Sequence, residues 1–198
     1  PDPPLIPPHL IDTFAAYLHP TIADRIRAGL TGFINEHRKI TVLFVRFDGF
    51  DYDDDPEAAA KLQRYFAPVI RTIHHYDGYL NKIDMGDKGS KYIVIFGAPV
   101  AHEDDETRAL RCALDLQQLP GVEGVQIGIS TGLAYCGQVG STQRQEYTVM
   151  GDTAVLAARL MTTAKPGQIL TSRDTFRADS GRFQWKEHPP VLLKGKSE

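Results

Sequence analysis

Arg159 stands in a stretch otherwise lined with small or apolar residues, TAVLAARLM, directly after a Gly-Asp turn. A guanidinium so placed suggests an anion nearby, although on residue type alone a solvent-facing arginine is the commoner meaning. Arg46 is a second anomaly. It interrupts ITVLFVRF (40–47), a run of β-branched and aromatic residues, and strand alternation puts Arg46 and Asp48 on one face near the C-terminal end. Ligands of open sheets gather at such ends, and a local Arg46–Asp48 ion pair accounts for the two residues equally well. Lys82, inside YLNKIDM (79–85), is either an edge-strand gatekeeper or a ligand contact. Asp84 and Asp87 are candidate metal carboxylates, while aspartates beside a turn most often serve the turn itself. Other ligand-type clusters fail on spacing. DYDDD (51–55) lacks the central glycine and closing glutamate of an EF-hand loop. The adjacent His74 and His75 cannot share a face as zinc ligands, and Cys112 and Cys136 match neither a disulfide framework nor a metal site.

These residues need elements to hold them. Ala154, Ala157, Ala158 and Met161 recur at helical spacing, with Asp152 or Thr153 as a cap and Pro166-Gly167 as the stop. Glu146 to Met150 is a short alternating strand just ahead. Asp55-Pro56-Glu57 opens a helix to about Tyr76, with Ala59, Leu62, Phe66, Val69, Ile70 and Ile73 as its apolar stripe and a kink at Pro68. Segments 79–85 and 92–97 read as a hairpin. After HEDDE comes a helix of about 16 residues striped by Ala109, Leu110, Ala113 and Leu116, with Cys112 packed as a small apolar residue. Val125–Thr131 and Leu133–Val139 are expected to form a second hairpin around Gly132, and short strands to follow at 168–171 and about 183–187. The order βαββαββαβ predicts an α+β (α/β) sandwich, with helices packed on a mixed, mainly antiparallel sheet. Residues 1–37 are expected to be a proline-rich linker and one or two short helices broken at Pro20, and 38–198 the domain proper.

Composition narrows the class. Forty-two per cent hydrophobic and 24% charged residues fit an ordinary globular domain, and a net charge of −3 offers no field for nucleic acid or an anionic membrane. No apolar run is long enough to span a bilayer. Two unpatterned cysteines fit a reducing, cytoplasmic location. With no initiator methionine, the chain is expected to be a piece of a longer protein.

Taken together, ITVLFVRFDGF, NKIDMGDKGSKYIVIFGAP, IGISTGLAYCGQVGS, EYTVMGDTAVLAARL and AKPGQILTS occur in the order of a class III nucleotidyl (adenylyl/guanylyl) cyclase catalytic domain. The chain resembles that family from residue 38 to about 196, and within it the second of two tandem domains in soluble, bicarbonate-type adenylyl cyclases. The resemblance implies two cyclase domains paired head to tail, with the active site in the cleft between them. One domain holds Mg²⁺ or Mn²⁺ on two aspartates. The other supplies a lysine and a companion for the base, plus an asparagine and an arginine on one helix. ATP is the expected substrate.

Carried over by position, the resemblance assigns the base contacts to Lys82 and Thr148 and the charge-stabilising arginine to Arg159. Arg46 occupies the first metal aspartate's place, with Asp48 two residues away as a weak substitute, and Asp87 aligns with the second. Val155 replaces the asparagine. Two readings follow. The chain is the complementary half of a pair whose metals sit on another cyclase domain, in the same polypeptide or a homodimer. Alternatively it is a catalytically degenerate module that regulates or dimerises.

Overall fold

The computed structural model describes residues 7–29, 35–85, 89–141 and 144–189. Its centre is β1 (Glu36–Phe47), whose unbroken apolar run is covered on both faces. β1 pairs antiparallel with β3 (Ser90–Phe96) on one side and β4 (Gln126–Gly140) on the other. β2 (Tyr79–Asp84) and β5 (Gln145–Met150) lie outside these, giving the order β2-β3-β1-β4-β5, and β6 (Ile169–Thr171) adds in parallel to β4. The expected α+β sandwich, with a mixed and mainly antiparallel sheet, is the architecture observed.

One face of the sheet presents Leu43, Val45, Phe47, Tyr92, Val94, Phe96, Ile127 and Ile129 to α3 (Ala58–His75) and α4 (Asp105–Gln117). Burying each such side chain contributes about 1.5–3 kcal/mol. The α4 stripe read from periodicity, Ala109, Leu110, Ala113 and Leu116, is buried with Cys112 beside it. In α3 the stripe begins at Ala58 rather than Ala59, and Tyr65 joins it. Asp55 does not begin the helix. Its carboxylate accepts from the Glu57 N–H, and α3 starts after that turn and runs unbroken through Pro68.

The opposite face carries Ile40, Val42, Ile95, Ala134 and Cys136 under α5 (Asp152–Thr163) and α2 (Pro20–Arg27). Here the second expected hairpin is corrected. Gly132 is no turn: it pairs with Ile40 inside one continuous β4. The glycines serve close packing instead. A Cβ on Gly128 would lie 2.1 Å from the Ala157 carbonyl oxygen and one on Gly132 2.8 Å from Thr153 Oγ1. Ile127 and Ile129 therefore face the α3–α4 core, while Gly128 and Gly132 leave room for α5.

Three further expectations are corrected. The cap position of α5 is Gly151, not Asp152 or Thr153, and the Thr153 hydroxyl donates to the Leu133 carbonyl. No strand forms at 183–187; Phe183 and Trp185 pack as loop residues against the core. A helix the periodicity missed, α6 (Arg173–Ala178), is capped by Ser172, and its Thr175 hydroxyl lies 3.0 Å from Thr131 Oγ1 beneath the sheet. VLLKGK (191–196) lies outside the described residues. The N-terminal segment forms two helices, α1 (Pro8–Ala15) and α2, with Pro20 opening the second. Ile22 and Ala23 of α2 are buried on the domain, so this helix docks in cis.

Candidate functional site

The sheet curls until its two end strands meet. β2 and β5 stand at opposite ends of the strand order, yet the Asn81 Nδ2 donates to the Tyr147 carbonyl at 2.8 Å. The Thr148 hydroxyl donates to Asn81 Oδ1 at 3.2 Å, and Lys82 Nζ lies 3.8 Å from Glu146 Oε1. The rings of Tyr79 and Tyr147 meet edge to face beside them. Lys82 and Thr148, far apart in the sequence, are thereby brought to one seam.

A β-bulge makes this possible. Pairing between β2 and β3 slips between Leu80 and Lys82, which leaves Asn81 as the extra residue and re-aims it toward β5. Because of the slip, Leu80 and Lys82, two residues apart, do not share a face. Leu80 packs with the α3–α4 core, whereas Lys82 pairs with Ile93, a residue packed on the α5 side. Lys82 and Glu146 are each about half exposed, 55% and 50%, so their contact is a loose surface pair that a ligand can displace.

Burial raises the Tyr79 phenol, and a hydrogen bond with Asn81 pulls it part of the way back. Burial also raises Tyr147, whose hydroxyl is buried without a hydrogen-bond partner among the described residues. The Cys136 thiol beneath it is pushed up to about 11 by burial, so it stays protonated and unreactive at neutral pH.

At the C-terminal end of β1, Arg46 Nε donates to Asp48 Oδ2 at 3.2 Å. The guanidinium lies flat against Gly89, where a Cβ would approach Nε and Nη2 to 2.9 Å. Asp84 is held by Lys91 at 2.6 Å, and that bond keeps its carboxyl below the usual range. Both aspartates are thus engaged by cations of the chain itself. Among the described residues no three His, Cys, Asp or Glu side chains converge to hold a metal ion, and Asp87 lies outside those residues. The donor set at the end of β1 does not fit a divalent cation: the Asp48 carboxylate there is engaged by the Arg46 guanidinium.

Arg159 sits half-buried on α5, one turn after Val155, which is 45% exposed. The Arg159 side chain has no hydrogen-bond or ion-pair partner among the described residues. Thr163 bonds only to its backbone carbonyl. A half-buried guanidinium without a counter-ion is a ready anion contact. Among the described residues no hydrogen bond or ion pair joins it to the Lys82–Thr148 seam, although α5 packs on the same sheet face as Ile93, the partner of Lys82. Two seam residues, Asn81 and Glu146, carry no signal in the sequence. One depends on a bulge and the other on the closure of the sheet.

Comparison with known proteins identifies this architecture. The family model of the adenylate and guanylate cyclase catalytic domain matches residues 34–198. Human adenylate cyclase type 10 is 32% identical over 96% of this chain, and an uncharacterized protein of Mycobacterium tuberculosis is 34% identical over 89%. The chain spans only 12% of the first relative's length and 34% of the second's. Among solved structures, the guanylyl cyclase Cya2 superposes with a TM-score of 0.73 at 29% identity, covering 83% of this chain and 89% of that one. The adenylyl cyclase CyaB from P. aeruginosa shares the fold with a TM-score of 0.74 at 23% identity, covering 83% and 91%.

Proposed function

The chain belongs to the class III adenylate and guanylate cyclase catalytic-domain family, and from that premise we propose that it is the complementary half of a paired cyclase centre. In this reading Lys82 and Thr148 contact the base of a nucleoside triphosphate, ATP, and Arg159 faces its phosphates. The partner, a cyclase domain of different sequence, carries the metal-binding aspartates and with them Mg²⁺ or Mn²⁺. The reaction converts ATP to 3′,5′-cyclic AMP. The ribose 3′-oxygen attacks the α-phosphorus, the bond to the β-phosphate breaks, pyrophosphate leaves, and the 3′-hydroxyl proton is released.

The observation that carries the proposal is the convergence of Lys82 and Thr148 across the closed sheet; the resemblance adds Arg46, paired with Asp48, in a carboxylate's place. A centre that keeps base contacts but seats a cation at the metal position calls for metals from elsewhere. Within this chain, Arg159 would neutralise charge building on the phosphorus-bound oxygens, while the seam orients the base and so the ribose. Described residues include no helix long and apolar enough to cross a membrane. The two cysteines, both free thiols, agree with a cytoplasmic site of action.

A second reading is favoured by Val155, which offers no hydrogen bond where the resemblance calls for an asparagine. In it the domain pairs with and supports a cyclase neighbour without touching the chemistry. Arg159→Ala separates the two. In complex with a metal-bearing cyclase domain, the substitution should lower cyclic AMP formation by about 100-fold, the scale of losing one charge-stabilising donor, and leave the association constant unchanged. Turnover that survives the substitution would favour the supporting role.

A further inference from the structure

Three histidines line one cavity of about 900 Å³ between the N-terminal helices and the domain. His19 comes from the turn between α1 and α2, His74 from the end of α3, and His102 from the loop after β3. His19 is also the cap of α2. Pro20 opens that helix without an N–H, and the next donor, the Thr21 N–H, meets His19 Nδ1 at 3.3 Å. A ring nitrogen accepts only when it carries no proton, so this cap exists only in the neutral imidazole with its hydrogen on Nε2. Protonation sets a second donor against the Thr21 N–H and places a positive charge at the positive end of the helix dipole. The same ring meets Tyr79 edge to face, with centroids 5.6 Å apart.

The carboxylates around this cavity are already engaged. Asp12 of α1 and Asp24 of α2 both pair with Arg27, at 2.9 and 3.1 Å. Asp77, in the turn after α3, pairs with Arg108, and His102 bonds through Nδ1 to Asp105. Burial raises the Tyr79 phenol, so it stays neutral. His74 adds only a like charge. Burial, and after it His74, hold the His19 imidazole below its ordinary value.

What the cap holds in place is a cover over the sheet. Ile22, 3% exposed, packs in one cluster with Ile40 and Val42 of β1, Ala134 and Cys136 of β4 and Tyr147 of β5. We propose that His19 is a proton-sensitive latch: its neutral ring holds α2 against the sheet, and protonation releases α2 and uncovers the face beneath it. A released histidine binds its proton more tightly than the docked one. Docking is therefore complete above about pH 6.5, the ordinary histidine value, and weakens as pH falls below it. The latch is independent of the nucleotide chemistry proposed above, since its operation needs neither ligand nor partner domain.

The test is hydrogen exchange of the full chain at about pH 7.5 and about pH 5.5, with amide rates corrected for their intrinsic pH dependence. One histidine protonated only on release favours the released form by about tenfold over this interval. Protection of the α2 amides should fall by about that factor, while β1 keeps its protection. His19→Asn supplies a cap that accepts from the same N–H and does not titrate, so its α2 should stay protected at both pH values. Wild-type α2 protection that is the same at both pH values overturns the latch. So does a His19→Asn chain that loses α2 protection on acidification as the wild type does. Should His19→Asn fail to dock α2 at the higher pH, NMR of the wild-type chain decides. The His19 ring and the α2 amides should then titrate together, and α2 amides that respond at a pH where His19 does not titrate overturn the proposal.

Discussion

Val155 and Arg159 lie one turn apart on α5, and only the second can meet a phosphate. Val155 is 45% exposed and offers a branched hydrocarbon where the proposed centre calls for a hydrogen-bond donor. Its exposure means that an amide fits without repacking. Val155→Asn should therefore raise the turnover of the paired complex about tenfold with little change in melting temperature. An unchanged rate, measured as cyclic AMP per paired site, would remove this position from the centre. At this scale the sequence was read through resemblance: Lys82, Thr148 and Arg159 were named by position, and the structure puts the first two at one seam. Asn81 was not legible, because a bulge is set by how β2 meets β3 and leaves no mark on YLNKIDM. The Arg46–Asp48 pair was legible from strand alternation alone, since residues two apart share a face.

Strand β4 positions much of this site. Its 15 residues pair with β1, β5 and β6 and carry α5 across one face. Local pattern broke it at Gly132, as glycine between two apolar runs reads as a turn. The tertiary reason for the glycine is the neighbouring helix, which no single-sequence window contains. Gly128 states the same fact more severely, with backbone atoms of α5 about where its Cβ would be. Gly128→Ala should destabilise the domain by about 3 kcal/mol through overpacking, and in doing so displace Arg159. Chemical denaturation with an unchanged m-value measures this, and a stability within 0.5 kcal/mol of wild type would contradict the packing account. Strongly periodic elements were read well. The α4 stripe and the β1 run are buried as expected, because amphipathic spacing and an unbroken apolar run each admit few alternatives. The 183–187 segment misled for the opposite reason: Phe183 and Trp185 are apolar and alternate, yet they pack without strand partners.

For the molecule as a whole, two observations point outward. The chain keeps a cyclase fold whose sheet brings Lys82 and Thr148 to one seam, and it seats the Arg46 guanidinium beside Asp48 at the end of β1, where the proposed reading expects an aspartate. It also matches relatives of which it spans only a fraction. Ile22 and Ala23 of α2 are buried on the domain's own surface, so the N-terminal segment is in part intramolecular structure. The most direct measurement is reconstitution. The chain is mixed with a cyclase domain that carries both metal aspartates, and cyclic AMP is followed with Mg²⁺- or Mn²⁺-ATP. Product formed well above the sum of the two halves alone, and lost with Arg159→Ala, is the predicted result. A pair that associates and yields no more product than its separate halves would contradict the complementary-half account.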